Sequence, residues 1–360
     1  MSTITIDPQR VEDFEQQLVE TINHGALCLM ISIGHRTGLF DTLAETGPVD
    51  ATALAEHAGL DERYVLEWLG AMTAGRIVEH DPETGAYDLL AEHAQLITRH
   101  ADQNLAVYAQ YIPVFGANED DILTCFREGG GLGYEHFPRF HEIMEEESAQ
   151  AVIPALHPRI LPLVPGLTDR LERGIRAVDV GCGRGRALNE LASWYPNSSF
   201  TGYDLSEEAV RYARETAAAR GLDNVAFHAV DAARLAEVEE PGAAQLITTF
   251  DAVHDQADPD AVTRAIRRTV ADDGVYLAQD IDAAGNHGDD IDHPLGPFVF
   301  TASCLHCMTV SLAAGGAGYG AMWGRERAQT LFARAGFEDV EVHTFDDDPT
   351  AVFYVCRPQR

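Results

Sequence analysis

The sequence predicts a two-part chain, in which a helical unit closed by a small hairpin precedes an α/β unit built on a doubly wound parallel sheet. Three observations carry this prediction. An apolar strand-type run from Ile175 ends in alternate glycines, Gly181, Gly183 and Gly185, and a helical pattern follows at Arg186 to Trp194. Strand and helix patterns then alternate to the end of the chain, which is the signature of a parallel sheet with crossover helices. Upstream, two short helical patterns separated by Gly59 and Asp61 lead into a hairpin pattern.

In chain order, Ala26 to Leu43 carries apolar residues at helical spacing. Pro48 to Ala58 reads as a short helix begun by Asp50 or Thr52, and Glu62 to Ala74 as a second. Ile77-Val78-Glu79, the turn Asp81-Pro82-Glu83-Thr84-Gly85 and Tyr87-Asp88-Leu89 form a hairpin, so residues 1–100 read as a winged helix-turn-helix unit. Residues 101–173 keep helical periodicity, but Pro113, Pro138, Pro154, Pro158, Pro162 and Pro165 break it, and Gly129-Gly130-Gly131 lies within it. Tyr134, His136, Phe137, Phe140 and His141 cluster after these glycines, and Glu145-Glu146-Glu147 reads as a solvated helix face. This stretch is a connector expected to cover a cleft.

Residues 174–360 form the α/β unit. Its strands are predicted at Ser199 to Asp204, Asn224 to Val230, Gln245 to Ala252 and Val275 to Ile281, with Glu338 to Phe345 and Ala351 to Arg357 closing the chain around an Asp-rich turn. Helices are predicted at Pro259 to Ala271 and Arg325 to Ala335. Ligands of such sheets bind beyond the carboxyl ends of the strands, where Gly181, Asp204, Asp231 and the stretch Phe250 to Asp255 converge. Residues 282–324 are too long for an ordinary connection. Their aromatic residues, His306, Met308 and Gly315-Gly316-Ala317-Gly318 suit a pocket wall or lid.

Composition narrows the function classes. The 360 residues carry 58 acidic and 25 basic side chains, a formal net charge of −33, and every basic residue is arginine. Such a surface repels nucleic-acid phosphate and anionic membrane. The second helix of the winged unit offers Glu62 and Glu67 against Arg63 alone, which fails the electrostatic requirement for a DNA-reading helix. The apolar run around Leu27, Leu29, Met30 and Ile31 can serve a dimer interface or the monomer core. No signal sequence opens the chain and the longest apolar run, Gly25 to Gly34, is too short for a bilayer, so a cytoplasmic location is expected. The six cysteines read as reduced thiols. Cys304 and Cys307 have zinc-like spacing, but only His306 stands nearby, so buried thiols and no metal are expected.

The glycine spacing is not that of a dinucleotide site, whose third glycine would stand at Arg186, and a less anionic nucleoside fits better. Asp179-Val180-Gly181-Cys182-Gly183-Arg184-Gly185 resembles the first motif of class I S-adenosylmethionine-dependent methyltransferases. The resemblance extends over the whole chain, to small-molecule O-methyltransferases with a winged-helix N-terminal domain. It implies a Rossmann-like seven-stranded sheet with an antiparallel last strand, S-adenosylmethionine as cofactor, a small-molecule acceptor and a homodimer. Asp204, about 20 residues beyond the glycines, would accept from the ribose hydroxyls. Asp231 would accept from the adenine amino group and Asp179 would hold the amino-acid end, with Leu205, Ala232 and Phe250 beside them. Helix capping is the alternative role for each such aspartate.

His254-Asp255-Gln256-Ala257-Asp258 resembles the family's His-Asp-Trp-x-Asp motif, with Gln256 replacing the tryptophan. The resemblance makes His254 a general base and Asp280, at the end of the fifth strand, its orienting partner. Tyr134, Phe137, His306, Met308 and Trp323 are the candidates for the acceptor wall. Methyl transfer to nitrogen or carbon, a relative that binds the cofactor without transferring methyl (hydroxylase- or decarboxylase-like), and a ligand-sensing regulator remain open alternatives.

Overall fold

The structure, a computed structural model, describes residues 6–358. It divides into two compact units, Met1–Gly116 and Ala117–Arg360. In the first, α1 (Pro8–Thr37) starts far earlier than its apolar pattern, capped by Asp7, whose carboxylate accepts the Gln9 N–H. The periodic stretch 26–43 is two helices, not one. Gly38 takes the left-handed conformation (φ 77°), which ends α1 and begins α2 (Leu39–Thr46). Asp50 caps α3 (Ala51–Ala58) and Asp61 caps α4 (Glu62–Ala74), each cap contributing about 1 kcal/mol. The strands β1 (Glu79–His80) and β2 (Tyr87–Asp88) pair antiparallel as the wing. Phe40 meets Trp68 edge-on at 5.0 Å, and the Trp68 indole N–H donates to the Met30 carbonyl at 2.9 Å. Along α1, by contrast, Val11, Phe14, Leu18, Ile22, Leu29 and Ile33 are exposed.

The second unit holds a seven-stranded sheet: β3 (Arg176–Val180), β4 (Ser199–Asp204), β5 (Val225–Ala229), β6 (Ala244–Phe250), β7 (Val270–Ile281), β8 (Phe337–Phe345) and β9 (Asp348–Pro358). The strand order is β5-β4-β3-β6-β7-β9-β8, and β9 lies antiparallel to both of its neighbours. Successive strands are added in opposite directions on either side of the parallel pair β3 and β6, so the ends of these two strands flank the crevice typical of open α/β sheets. Alternation along β7 sends Val275 and Leu277 into one apolar layer and Tyr276 and Ala278 into the other, so both faces of the sheet are covered.

Two parts of this unit differ from the sequence prediction. The glutamate run is not a solvated face: helix Phe140–Ala155 is half-buried at Glu145, Glu146 and Glu147, and Glu145 pairs with Arg186 at 2.8 Å. Segment 282–324, for which the sequence named no element, carries a helical run over 296–313. Helices Gly296–Ala302 and Met308–Ala313 are joined by a π turn, Ser303–Cys307, which buries His306 and Cys307 side by side. A π turn inserts an extra residue into the helix and re-aims the side chains it carries. Gly296–Ala313 is apolar and long enough to cross a membrane by length and composition. Its buried residues, Gly296, Val299 and His306 to Ser311 apart from Met308, pack within this unit like those of a core helix.

Candidate functional site

At the end of β3 the chain turns through three left-handed glycines, Gly181, Gly183 and Gly185, with φ of 74°, 51° and 71°. Two of them also stand at close approaches. A Cβ on Gly181 would lie 2.4 Å from the Ala252 Cβ, and one on Gly185 would lie 2.5 Å from the Phe227 ring. Gly183 differs: a Cβ there would project into open space. Its N–H donates to Asp204 Oδ2 at 2.8 Å, and the Ser206 N–H donates to Asp204 Oδ1 at 2.8 Å. The carboxylate that ends β4 is thus fixed by the turn itself, with lone pairs remaining toward solvent.

Asp179 is buried and accepts the Thr248 hydroxyl at 2.7 Å. Burial pushes its carboxyl up to about 7, against the Thr248 hydrogen bond and with help from nearby Asp204. Asp231 is exposed and caps the turn after it, accepting the Ala233 N–H at 2.9 Å. Leu205 is exposed and Ala232 buried, and Phe250 ends β6 half-buried.

Past β6 the chain bends at Asp251, a non-glycine residue with φ of 49°. Asp251 is half-buried and accepts Gln279 Nε2 at 2.9 Å; desolvation, then the Asp280 carboxylate, raises its carboxyl to about 8. His254 lies between two carboxylates. Its Nδ1 is 2.7 Å from Asp280 Oδ1, and its Nε2 is 3.1 Å from Asp255 Oδ1, out of line for a hydrogen bond. Burial alone would depress the imidazole, but Asp280 and Asp255 outweigh it and hold His254 well above its ordinary range. Gln256, in the place of the motif's tryptophan, folds back and donates to the Ala252 carbonyl at 2.8 Å.

His306 is fully buried, and neither ring nitrogen has a hydrogen-bond partner. Phe140 stacks on it at 3.4 Å between centroids, and Phe137 and Tyr134 meet it edge-on at 4.9 and 5.5 Å. Its Nδ1 is 3.9 Å from Asp255 Oδ2. Burial pushes the imidazole down to about 4 and keeps it neutral. The Tyr134 hydroxyl is raised well above its ordinary value by burial and by Asp255 and Asp204, which ties the aromatic wall to both halves of the site.

Of the predicted residues, Tyr134, Phe137 and His306 therefore come together beside Asp255. Met308 is half-buried, with its Cβ beside Gly320. Trp323 lies elsewhere, buried in the sheet core with Tyr276 and Phe332 and stacked on Tyr319 at 5.6 Å. Asp251, Asp255, Phe140 and Thr248 also belong to the site's surroundings; the sequence had placed Phe140 in the aromatic cluster and Asp251 and Asp255 in the stretch at the crevice without a role for any of them, and Thr248 in none. Asp255 had a signal, its adjacency to His254; the left-handed turn at Asp251 had none. Cys307 approaches His254 and Asp255, with donor atoms of the three residues within 4.8 Å of one another, while Cys304 lies outside this group.

Residues 25–99 match the Rv2258c-like winged HTH domain, and residues 171–312 match a methyltransferase domain. Methyltransferase ungE' of Aspergillus campestris is 32% identical over 253 residues, covering 66% of this chain and 67% of that protein. The chain spans only small parts of two other curated relatives: 18% of the uncharacterized protein RP789 of Rickettsia prowazekii (30% identical, 28% of this chain) and 28% of a tRNA (guanine-N(7)-)-methyltransferase of Brevibacillus brevis (36% identical, 17% of this chain). Among solved structures, human N-acetylserotonin methyltransferase in complex with SAM superposes with a TM-score of 0.70 at 17% identity, covering 100% of both chains. The mitomycin 7-O-methyltransferase superposes at 0.68 and 19% identity, covering 97% of this chain and 99% of that one. The chain belongs to the winged-helix class I S-adenosylmethionine-dependent methyltransferases.

Proposed function

We propose that this protein transfers the methyl group of S-adenosylmethionine to a hydroxyl of a small, partly aromatic molecule, with His254 as general base. The observation that carries the reading is the buried His254 and Asp280 pair beyond the switch point of the sheet. The open space over Gly183, the remaining lone pairs of Asp204 and the exposed carboxylate of Asp231 suit a nucleoside. In this reading Gly181, Gly183 and Gly185 let the main chain lie against the cofactor, Asp204 takes the ribose hydroxyls and Asp231 the adenine amino group. Leu205, Ala232 and Phe250 flank the nucleoside, and Asp179 holds the amino-acid end.

The bound cofactor supplies a sulfonium methyl group open to in-line attack. Asp280 holds the Nδ1–H of His254, which leaves the Nε2 lone pair as the proton acceptor. Nε2 must then face the acceptor hydroxyl in place of Asp255, which supports the imidazolium once it forms. Base assistance of this kind contributes a factor of about 100 to 10,000. Tyr134, Phe137 and His306 form an apolar, aromatic wall suited to a planar acceptor. Met308 and Trp323, expected on that wall, lack this support.

The clustered carboxylates Asp251, Asp255 and Asp280 favour a second reading, a cationic amine acceptor. A screen of phenols, alcohols and amines with isotopically labelled cofactor, read by mass spectrometry, separates the two. Label on oxygen supports the first reading, and label only on nitrogen or carbon overturns it. We also propose that the chain works as a cytoplasmic homodimer and does not bind nucleic acid, on the strength of the apolar stripe of α1 and the acidic balance of the chain.

A further inference from the structure

The donor atoms of His254, Asp255 and Cys307 lie within 4.8 Å of one another, and all three side chains are largely buried. A tetrahedral zinc ion with bonds of about 2.0 to 2.3 Å sets its ligand atoms roughly 3.3 to 3.8 Å apart, so a contraction of about 1 Å would complete three corners. A fourth donor faces the same carboxylate. His306 is fully buried, both its ring nitrogens lack a hydrogen-bond partner, and its Nδ1 stands 3.9 Å from Asp255 Oδ2. A buried imidazole with no partner is costly unless something binds it. The π turn is what brings His306 and Cys307 to the same polar cluster.

The outer shell also fits a metal. The contact between Asp280 Oδ1 and His254 Nδ1 at 2.7 Å is the carboxylate-to-histidine arrangement that fixes the tautomer of a metal-binding imidazole, leaving Nε2 for the ion. Asp251, Asp255 and Asp280 place three carboxylates around one imidazole, and among the described residues no arginine forms an ion pair with any of them. A divalent cation would balance Asp255 and Asp280 in place of a proton on His254.

We propose that His254 Nε2, Asp255, Cys307 Sγ and His306 form a site for a thiophilic divalent cation, zinc by ligand type. Binding expels the Cys307 thiol proton, and the Nε2 proton where it is present, so uptake strengthens as pH rises. Loading also occupies Nε2. Insofar as His254 is the base, the metal-loaded protein cannot accept the acceptor's proton, and zinc acts as a reversible brake on methyl transfer.

The full-length protein, freed of metal with a chelator, is titrated with Zn²⁺ and separately with Co²⁺. One zinc per chain is expected by equilibrium dialysis, together with a thiolate-to-cobalt charge-transfer band. Cys307→Ala and Cys307→Ser should lose the band and weaken zinc binding at least about 10-fold, while retaining turnover without metal and the native melting profile. In the native protein zinc should stop turnover and a chelator should restore it. Absence of the band, or equal zinc affinity in native protein, Cys307→Ala and His254→Asn, overturns the site. The band and the stoichiometry are read without cofactor or acceptor, so a failure to find a hydroxyl acceptor would sink the catalytic reading and leave the metal site standing.

Discussion

Nδ1 of His254 sits 2.7 Å from Oδ1 of Asp280, with each side chain 3% exposed. Asp280 Oδ1 also accepts the Ile281 N–H at 2.8 Å, so the carboxylate is held by the end of β7. The imidazole is anchored at one nitrogen and aimed with the other. His254→Ala should leave cofactor affinity nearly unchanged and lower turnover of a confirmed hydroxyl acceptor at least about 100-fold, with a smaller loss for phenols acidic enough to ionise unaided. Asp280→Asn should lower kcat more than it changes KM, and Asp280→Glu should recover part of the loss. Wild-type turnover in His254→Ala would overturn the base assignment.

The pH dependence separates Asp255 from Asp280. Only neutral imidazole accepts a proton, and both carboxylates favour the imidazolium, so activity should rise with pH along a limb lying well above the ordinary histidine range. Asp255→Asn removes one of the two charges. The limb should therefore move to lower pH in that variant and vanish in His254→Ala. The same shift feeds stability: a raised folded-state pKa contributes fully below about pH 6.5, the unfolded value, and its contribution fades as pH climbs through the folded value. A pH profile unchanged by Asp255→Asn would show that Asp255 does not face the base in solution.

Asp179 gives a prediction of the same sign for stability, although a carboxylate held low would give the reverse. Its carboxyl is raised to about 7, so folded protein binds this proton more tightly than unfolded chain. The stability tied to that proton is present in acid and is lost as pH rises from about 4 through about 7, a term on the order of a few kcal/mol. If Asp179 meets the ammonium of the cofactor, ligand binding favours the charged carboxylate, and calorimetric affinity should increase from about pH 6 to about pH 8. Asp179→Asn should flatten that dependence. Affinity independent of pH in the native protein would remove Asp179 from the amino-acid end.

Much of this arrangement was legible in the sequence because strand and helix periods and capping aspartates are local signals. Asp50 and Asp61 mark their helices, Asp204 ends its strand, and Asp280 stands one residue before the end of its own. What stayed hidden depends on three-dimensional register. Gly38 reads as one more residue in an apolar helix until its left-handed backbone splits α1 from α2. The π turn at Ser303–Cys307 has no period of its own, so His306 and Cys307 gave no sign of meeting Asp255. Trp323 looked like a pocket aromatic because composition cannot tell a wall from the core in which it is buried.

The cofactor turn can be tested at Asp204, whose carboxylate accepts backbone N–H groups from Gly183 and Ser206 at 2.8 Å each. Asp204→Ala removes two acceptors, and the Gly183 turn loses its brace. Hydrogen bonds to a charged group are worth about 1.5 to 3 kcal/mol each, so the variant should melt lower and bind S-adenosylmethionine at least about 10-fold more weakly. Asp204→Asn keeps the shape and one carbonyl acceptor, so it should recover more of the stability than of the ribose affinity. Calorimetry showing unchanged affinity in Asp204→Ala would sink the ribose role.

The last prediction concerns α1. Val11, Phe14, Leu18, Ile22, Leu29 and Ile33 recur at intervals of three, four or seven residues and are 54, 58, 47, 71, 44 and 46% exposed. That spacing puts them along one face of a helix of 30 residues, about 45 Å long. An apolar face of this length is unusual on a monomer, and burying it at about 25 cal/mol per Å² would favour association. With a chain mass of 39.2 kDa, light scattering should give twice that value for the native protein. The double variant Phe14→Glu with Ile22→Glu adds charge to the middle of the stripe and should return the mass to that of one chain. Because both side chains are already exposed, the variant should keep its secondary structure. A native protein that scatters as one chain, or a double variant that remains at twice the mass, would exclude this stripe as the dimer interface.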